Sequence, residues 1–162
     1  HCTANSMESG LAHEKALVEI IEEASGCPTI TTAQAITQAF DQSGIKKLVL
    51  ISPYVQSTNQ LEVNYLSETG YKVLHEVGLG LETHAYAAVT PQAWKAVVKE
   101  NSRADADGYF LSCTNTRMIE AISDLETELG KPVINSNQAT LWACLKKLGI
   151  QHTDPRLGSL FH

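Results

Sequence analysis

Two cysteines stand where chemistry is easiest to build. Cys113 lies in "FLSCTNTR", residues 110–117, just after an apolar run and just before a helical pattern. Cys2 lies in "HCTANS", again in front of a helical pattern, and each cysteine is followed by a threonine. A thiol at a helix amino terminus feels the positive end of the peptide dipoles, which favours thiolate. Thr114 and Asn115 add a hydroxyl, an amide and backbone N–H groups converging on one spot, a nest that suits a carboxylate. Two thiols flanking a carbon alpha to a carboxylate can move protons from opposite faces, one as base and one as acid. Alternatively, one thiolate adds to an activated double bond while the other moves the proton. Neither route needs a metal or an organic cofactor, and the sequence carries no Gly-rich phosphate loop and no metal box. The plain alternatives are a small buried hydrophobe for Cys113 and a frayed terminus for Cys2.

The elements around the two motifs repeat. After Cys113, "MIEAISDLETELG" spaces Met118, Ile122, Leu125 and Leu129 as one helical stripe ending at Gly130. "KPVINS" then reads as a short strand and "NQATLWACLKKLG" as a helix. After Cys2, "LAHEKALVEIIEEASG" puts Leu17, Ile20, Ile21 and Ala24 on one face and stops at Gly26, with "CPTITT" as strand and "AQAITQAFDQSG" as helix. The shared skeleton is Cys-Thr, helix, Gly-x-Pro, strand, then Thr32 or Ser136 followed by x-Gln-Ala. We read this as an internal duplication; two unrelated βα units with common punctuation are the alternative.

Between the copies, "KKLVLISPY", "YKVLHEVGLGL" and "DGYFLSC" read as strands. They alternate with a helix over "STNQLEVNYLSETG", capped by Ser57 or Thr58, and one over "TPQAWKAVVKENS", capped by Thr90 with Pro91 at its first position. The tail "QHTDPRLGSLFH" reads as loop with one turn. Alternation of this kind predicts an α/β fold with parallel sheets, flanking helices and right-handed crossovers. Ligands of parallel sheets bind at the carboxyl ends of the strands, where both Cys-Thr motifs fall. A pseudo-twofold relating the copies would point the thiols at each other across a cleft.

Composition sets the outer bounds. With 162 residues, 43% hydrophobic and 19% charged, the chain can bury a sizeable core. Twelve Lys and Arg against 18 Asp and Glu leave a net charge of −6, with no electrostatic footprint for nucleic acid or an anionic membrane. No apolar run approaches the ~18 residues of a membrane span, and no secretory signal is visible. Cys2, Cys27, Cys113 and Cys144 lie far apart without ligand spacing, which fits free thiols in a reducing cytoplasm better than disulfides or zinc. Cys27 and Cys144 read as buried packing residues.

Several stretches together resemble a known group: "CTANS" at 2–6, "TTAQA" at 31–35, "SPY" at 52–54, "GLGL" at 78–81, "LSCTNTR" at 111–117 and "GKPVINSNQATLW" at 130–142. The sequence resembles the maleate cis-trans isomerase and arylmalonate decarboxylase branch of the aspartate/glutamate racemase superfamily along nearly its whole length. The resemblance implies a cofactor-independent enzyme with two pseudo-symmetric α/β lobes and a small carboxylate, a maleate-like diacid or an acidic amino acid, held between them. Cys2 matches the family's first cysteine, the nucleophile toward the double bond in the isomerases. Cys113 matches the second, the proton donor and acceptor. Thr3, Tyr54 and Thr114 match positions around the substrate carboxylates. The decarboxylases lack the first cysteine, so the presence of both favours isomerase or racemase over decarboxylase.

Three departures accompany the resemblance. His84 falls where the isomerases usually place an Asn, and Ala4 replaces the small hydroxyl residue common after the Thr. The family also carries a strand–helix half before its first cysteine. The first lobe is therefore expected to lack its N-terminal strands, leaving residues 1–32 and 133–162 as its remnant and 33–132 as the second lobe. A truncated, non-catalytic carboxylate-binding domain is the competing reading, and a homo-oligomer is a fair expectation for a small α/β enzyme. From the residues alone, Tyr54 reads as a carboxylate ligand or core-edge packing, Asn115 as a substrate contact or a helix cap, and His84 as a loop histidine or a site residue. Gln34 and Gln138 read as caps or loop braces.

Overall fold

The apolar run after Lys46 forms β1 (Lys47–Ser52), paired in parallel with β2 (Lys72–Gly78) on one side and β3 (Gly108–Leu111) on the other. β4 (Val133–Asn135) pairs in parallel with β3, giving one four-stranded sheet in the order β2-β1-β3-β4. This computed structural model describes residues 1–8 and 10–162. β1, β3 and β4 are buried on both faces, as a parallel sheet between helical layers requires. Leu48, Leu50, Phe110 and Ile134 pack on one side with α1 (Thr3–Glu8), α3 (Thr32–Gln42), α4 (Gln56–Glu68) and α7 (Ser136–Lys147). Val49, Ile51, Tyr109 and Val133 pack on the other with α5 (Pro91–Glu100) and α6 (Ile122–Leu129).

Local chemistry sets most boundaries where the sequence analysis put them. Thr90 caps α5 through the Ala93 N–H, with Pro91 in the first turn. α6 ends at Gly130, whose left-handed φ of 63° suits a residue without Cβ. α3 and α7 both open with reciprocal capping boxes, Thr31 with Gln34 and Asn135 with Gln138. The two glutamines singled out by the duplication are thus braces for their loops.

Several expectations are corrected. Residues 27–31 form no strand. Their backbone groups are taken by side chains instead: the Thr29 N–H donates to Glu22 Oε1 at 2.7 Å, and Lys147 Nζ donates to the Thr29 carbonyl at 2.9 Å. Among the described residues no strand lies alongside to pair with them. Cys27 is consequently exposed, and Cys144 is half-buried. In α2 (Gly10–Ser25) the stripe expected to face a core is open, with Leu17, Ile20 and Ile21 exposed at 40%, 63% and 41%. α4 starts at Gln56, ahead of the expected Ser57 or Thr58 caps, and the Val55 carbonyl accepts the Thr58 and Asn59 N–H groups. The helix after Cys113 is split into a 3-10 turn, Met118–Ala121, and α6. The tail makes two turns, and its Leu160 and Phe161 complete the α3–α7 side of the core.

The expected boundary at 132/133 falls between two strands of one sheet, because β4 continues the ladder of β3 and α7 packs against α3. The described residues contain this sheet and no other. No helix among them is long and apolar enough to cross a membrane.

Candidate active site

Because all four strands run in parallel, the residues that follow them gather along one edge of the sheet. Tyr54 follows β1, Cys113 follows β3 and Ser136 follows β4. α1 brings Cys2 and Thr3 to the same edge, and the joint is made by hydroxyls. The Cys113 N–H donates to Ser136 Oγ at 3.2 Å, and Thr3 Oγ1 donates to the same oxygen at 2.8 Å, with Thr3 and Ser136 both buried. The Cys2 N–H donates to Thr32 Oγ1 at 3.0 Å. Thr32 and Ser136 are the equivalent positions of the repeated skeleton, so each cysteine backbone is seated on the matching hydroxyl of its own copy.

A second bridge runs through His1. Its ring contacts Thr32 Oγ1 through Nδ1 at 3.0 Å and Asn137 Oδ1 through Nε2 at 2.8 Å. Asn137 Nδ2 then donates to the Thr114 carbonyl at 3.1 Å. The two Cys-Thr motifs, more than a hundred residues apart in sequence, are therefore neighbours.

The two thiols differ in environment. Cys2 is exposed, whereas Cys113 is buried at 4% exposure. Burial pushes the Cys113 thiol up, and nearby negative charge on Glu62 or Cys2 would push it further; the Tyr54 hydroxyl and the Asn115 N–H, 3.3 Å from the sulfur, only partly offset this. The expected dipole-activated thiolate is thus corrected for Cys113. No helix begins there: residues 114–117 bend, and the first helical turn waits until Met118. Cys113 instead holds a φ of 119°, the one positive φ of a non-glycine residue in the described chain. A left-handed backbone at a residue with Cβ is strained, and here it turns the Asn115 N–H back onto the sulfur.

Tyr54 is buried and its phenol is held neutral, first by burial and then by Glu62 and Cys113. Its ring packs edge-on against Tyr86, with centroids 5.7 Å apart. Gly78 sits where a Cβ would come within 2.5 Å of the Tyr54 carbonyl and 2.9 Å of Asn59 Nδ2, so β2 approaches this loop closely only because it ends in glycine.

Of the remaining expected site residues, Thr114 is half-buried beside Cys113, and Asn115 is exposed and caps no helix. His84 lies exposed on a 3-10 turn, Thr83–Ala88. Ser136, Thr32 and Glu62 were not identified as site residues from the sequence. The first two occupy matched positions of the duplication, and that correspondence was the available signal. Two clefts, of about 480 and 510 Å³, lie elsewhere, one between α7 and the tail and one beside residues 154–157. No three His, Cys, Asp or Glu side chains among the described residues gather as metal ligands.

The family model for arylmalonate decarboxylase matches residues 2–161. The chain belongs to the arylmalonate decarboxylase family. It is similar to a maleate isomerase of Pseudomonas putida, 27% identical over 98% of this chain and 66% of that protein. It is equally similar to the arylmalonate decarboxylase of Bordetella bronchiseptica, 27% identical over 91% of this chain and 62% of that protein. The crystal structure of the maleate isomerase Iso from Pseudomonas putida S16 superposes with a TM-score of 0.92 at 26% identity, over 99% of this chain and 67% of that one. The chain thus spans about two thirds of the length of these relatives. Relatives with both activities share the α/β fold with its parallel sheet and flanking helices.

Proposed function

We propose that this chain carries the working half-site of a small-carboxylate isomerase that uses Cys2 and Cys113 as a pair, without an organic cofactor. The observation that carries the reading is the joint seating of the two motifs, Cys2 on Thr32 and Cys113 on Ser136, with Thr3 bonded across to Ser136. The different surroundings of the thiols support different roles. Exposed Cys2 is accessible to attack the substrate, and buried Cys113, whose thiol burial pushes up, serves as the acid.

With a maleate-like diacid, Cys2 sulfur forms a bond to one alkene carbon, and the π electron pair takes the Cys113 proton at the other. The remaining carbon–carbon bond is single and turns. Cys113, now thiolate, removes a proton again, the double bond re-forms and the Cys2 carbon–sulfur bond breaks with its pair returning to sulfur. Tyr54, a neutral phenol beside Cys113, and the Asn115 N–H supply donors for a carboxylate oxygen. Thr114 belongs to the same rim.

A second reading, decarboxylation of a malonate, is favoured by the protonated state of Cys113, since one buried thiol suffices to protonate the carbanion left by carbon dioxide loss. Turnover of maleate by the full-length protein, followed by proton NMR, tests the first reading. Cys113→Ala should remain folded and lose at least about 10²-fold in rate; undiminished turnover rejects the role. Carbon dioxide release from an arylmalonate that survives Cys2→Ser would favour the second.

A further inference from the structure

Helix α4 carries two polar side chains on one face, Asn59 and Glu62, both fully buried. Asn59 Oδ1 accepts from the Ser52 hydroxyl, and Glu62 Oε1 accepts from the Ser112 hydroxyl at 2.7 Å. Among the described residues Asn59 Nδ2 and Glu62 Oε2 have no hydrogen-bond partner. A buried carboxyl with one oxygen unpaired is costly as an anion and is retained where it has a task. Ser112 immediately precedes Cys113 in the chain, and its hydroxyl is bound to Glu62. The hydrogen bond from Ser112 therefore ties Glu62 to the residue next to Cys113.

We infer that Glu62 is a positioning residue for Cys113, a buried carboxyl that fixes Ser112 behind the thiol and, by its own charge, resists formation of the thiolate. The groups facing it set the sign of the effect. Tyr54 and Cys113 are both acids that become anions, and among the described residues no cation bonds or ion-pairs with Glu62. From α1 the buried side chains are Thr3 and Met7, with Glu8 exposed. From α2 comes Glu14, already bound by Thr31 and by the Tyr65 hydroxyl at 2.7 Å. β2 carries exposed Lys72 together with His75, paired with Asn101, and Glu76, paired with Gln56. Burial holds Glu62 neutral up to about pH 8. Below that pH neither group is charged at rest; above it Glu62 ionises before Cys113 and opposes the thiolate.

This inference rests on the reading of Cys113 as the working thiol only for its effect on turnover, and its test needs no substrate. The rate of alkylation of Cys113 by iodoacetamide is measured against pH in the full-length protein, with the Cys113 peptide resolved by mass spectrometry from the other cysteine peptides. In Glu62→Gln, which keeps the shape and removes the charge, the Cys113 midpoint should fall by about one pH unit, giving up to roughly tenfold more thiolate at a pH where Glu62 is ionised and Cys113 is still mostly protonated. An unchanged or raised midpoint in a folded Glu62→Gln protein overturns the inference. A measurement on the unmodified sequence stands beside it: carbon-13 NMR of glutamate-labelled protein should show one carboxyl titrating near pH 8. Titration of every glutamate carboxyl below pH 6 overturns the inference even where the variant fails to fold. If both thiol and carboxyl behave as expected while maleate is not turned over, the proposed function falls and this inference stands.

Discussion

Cys113 is held at a φ of 119°, and this backbone makes a prediction about its replacements that runs against the usual order. A residue with Cβ in such a conformation costs about 1–3 kcal/mol. Cys113→Ala keeps the Cβ, and with it the strain, and loses only the sulfur. Cys113→Gly loses sulfur and Cβ but releases the strain. At an ordinary buried position the second change is the worse of the two, by about 0.4–1 kcal/mol of unfolded-chain freedom plus about 0.8 kcal/mol for the lost carbon. At Cys113 the released strain offsets most or all of this, so the Gly variant should lie between about 0.8 kcal/mol below and about 1.8 kcal/mol above the Ala variant in stability. Urea unfolding followed by circular dichroism, with matching m-values, reads the difference directly. A Gly variant less stable than the Ala variant by about 1 kcal/mol or more would refute the claim that the thiol is presented on strained backbone.

Three further outcomes follow from the same contacts. Glu62 has its folded pKa raised from 4.5 to about 8, so the folded state binds the extra proton between those values. Its contribution to stability is full below about pH 4.5 and is lost as pH rises towards 8, at a slope approaching about 1.4 kcal/mol per pH unit. Unfolding free energies across that window should fall more steeply for the unaltered protein than for Glu62→Gln, and parallel curves would contradict the burial of a titrating carboxyl. Ser136→Ala leaves the buried Thr3 hydroxyl and the Cys113 N–H without their shared acceptor and should cost about 1–3 kcal/mol in urea unfolding; a cost below 0.5 kcal/mol, on the order of an exposed surface change, would count against the joint. Ile20→Lys, on the open stripe of α2, should change stability by less than about 0.5 kcal/mol, and a loss of 2 kcal/mol or more would show that stripe to be covered.

Much of the fold was legible because its signals are local. Thr90 and Pro91 mark the start of α5, Gly130 the end of α6, and the runs around Leu48–Ile51 and Tyr109–Leu111 have the apolar continuity of strands buried on both faces. What was misread depends on distant partners. "CPTITT" has strand composition but needs a neighbour to pair with, and the apolar stripe of α2 needs a surface to bury against. The site divides in the same way. Cys2, Thr3, Tyr54 and Cys113 were legible as a constellation at the ends of elements, whereas the raised thiol of Cys113 was not, because burial beside Tyr54 and Glu62 is a tertiary fact. Glu62 did leave a trace: it falls on the same helical face as Tyr65 and Leu66, where a solvated carboxylate has no place.

The central claim is that the Cys2 and Cys113 sulfurs face one small carboxylate between them. A crystal structure of the full-length protein with a maleate-like diacid tests it most directly, through the distance between the two sulfur atoms. The account predicts a separation of roughly 6–9 Å with one substrate carbon in the gap and a carboxylate oxygen on Tyr54 or the Asn115 N–H. Sulfurs parted by packed side chains, or a diacid bound away from Cys113, would contradict it.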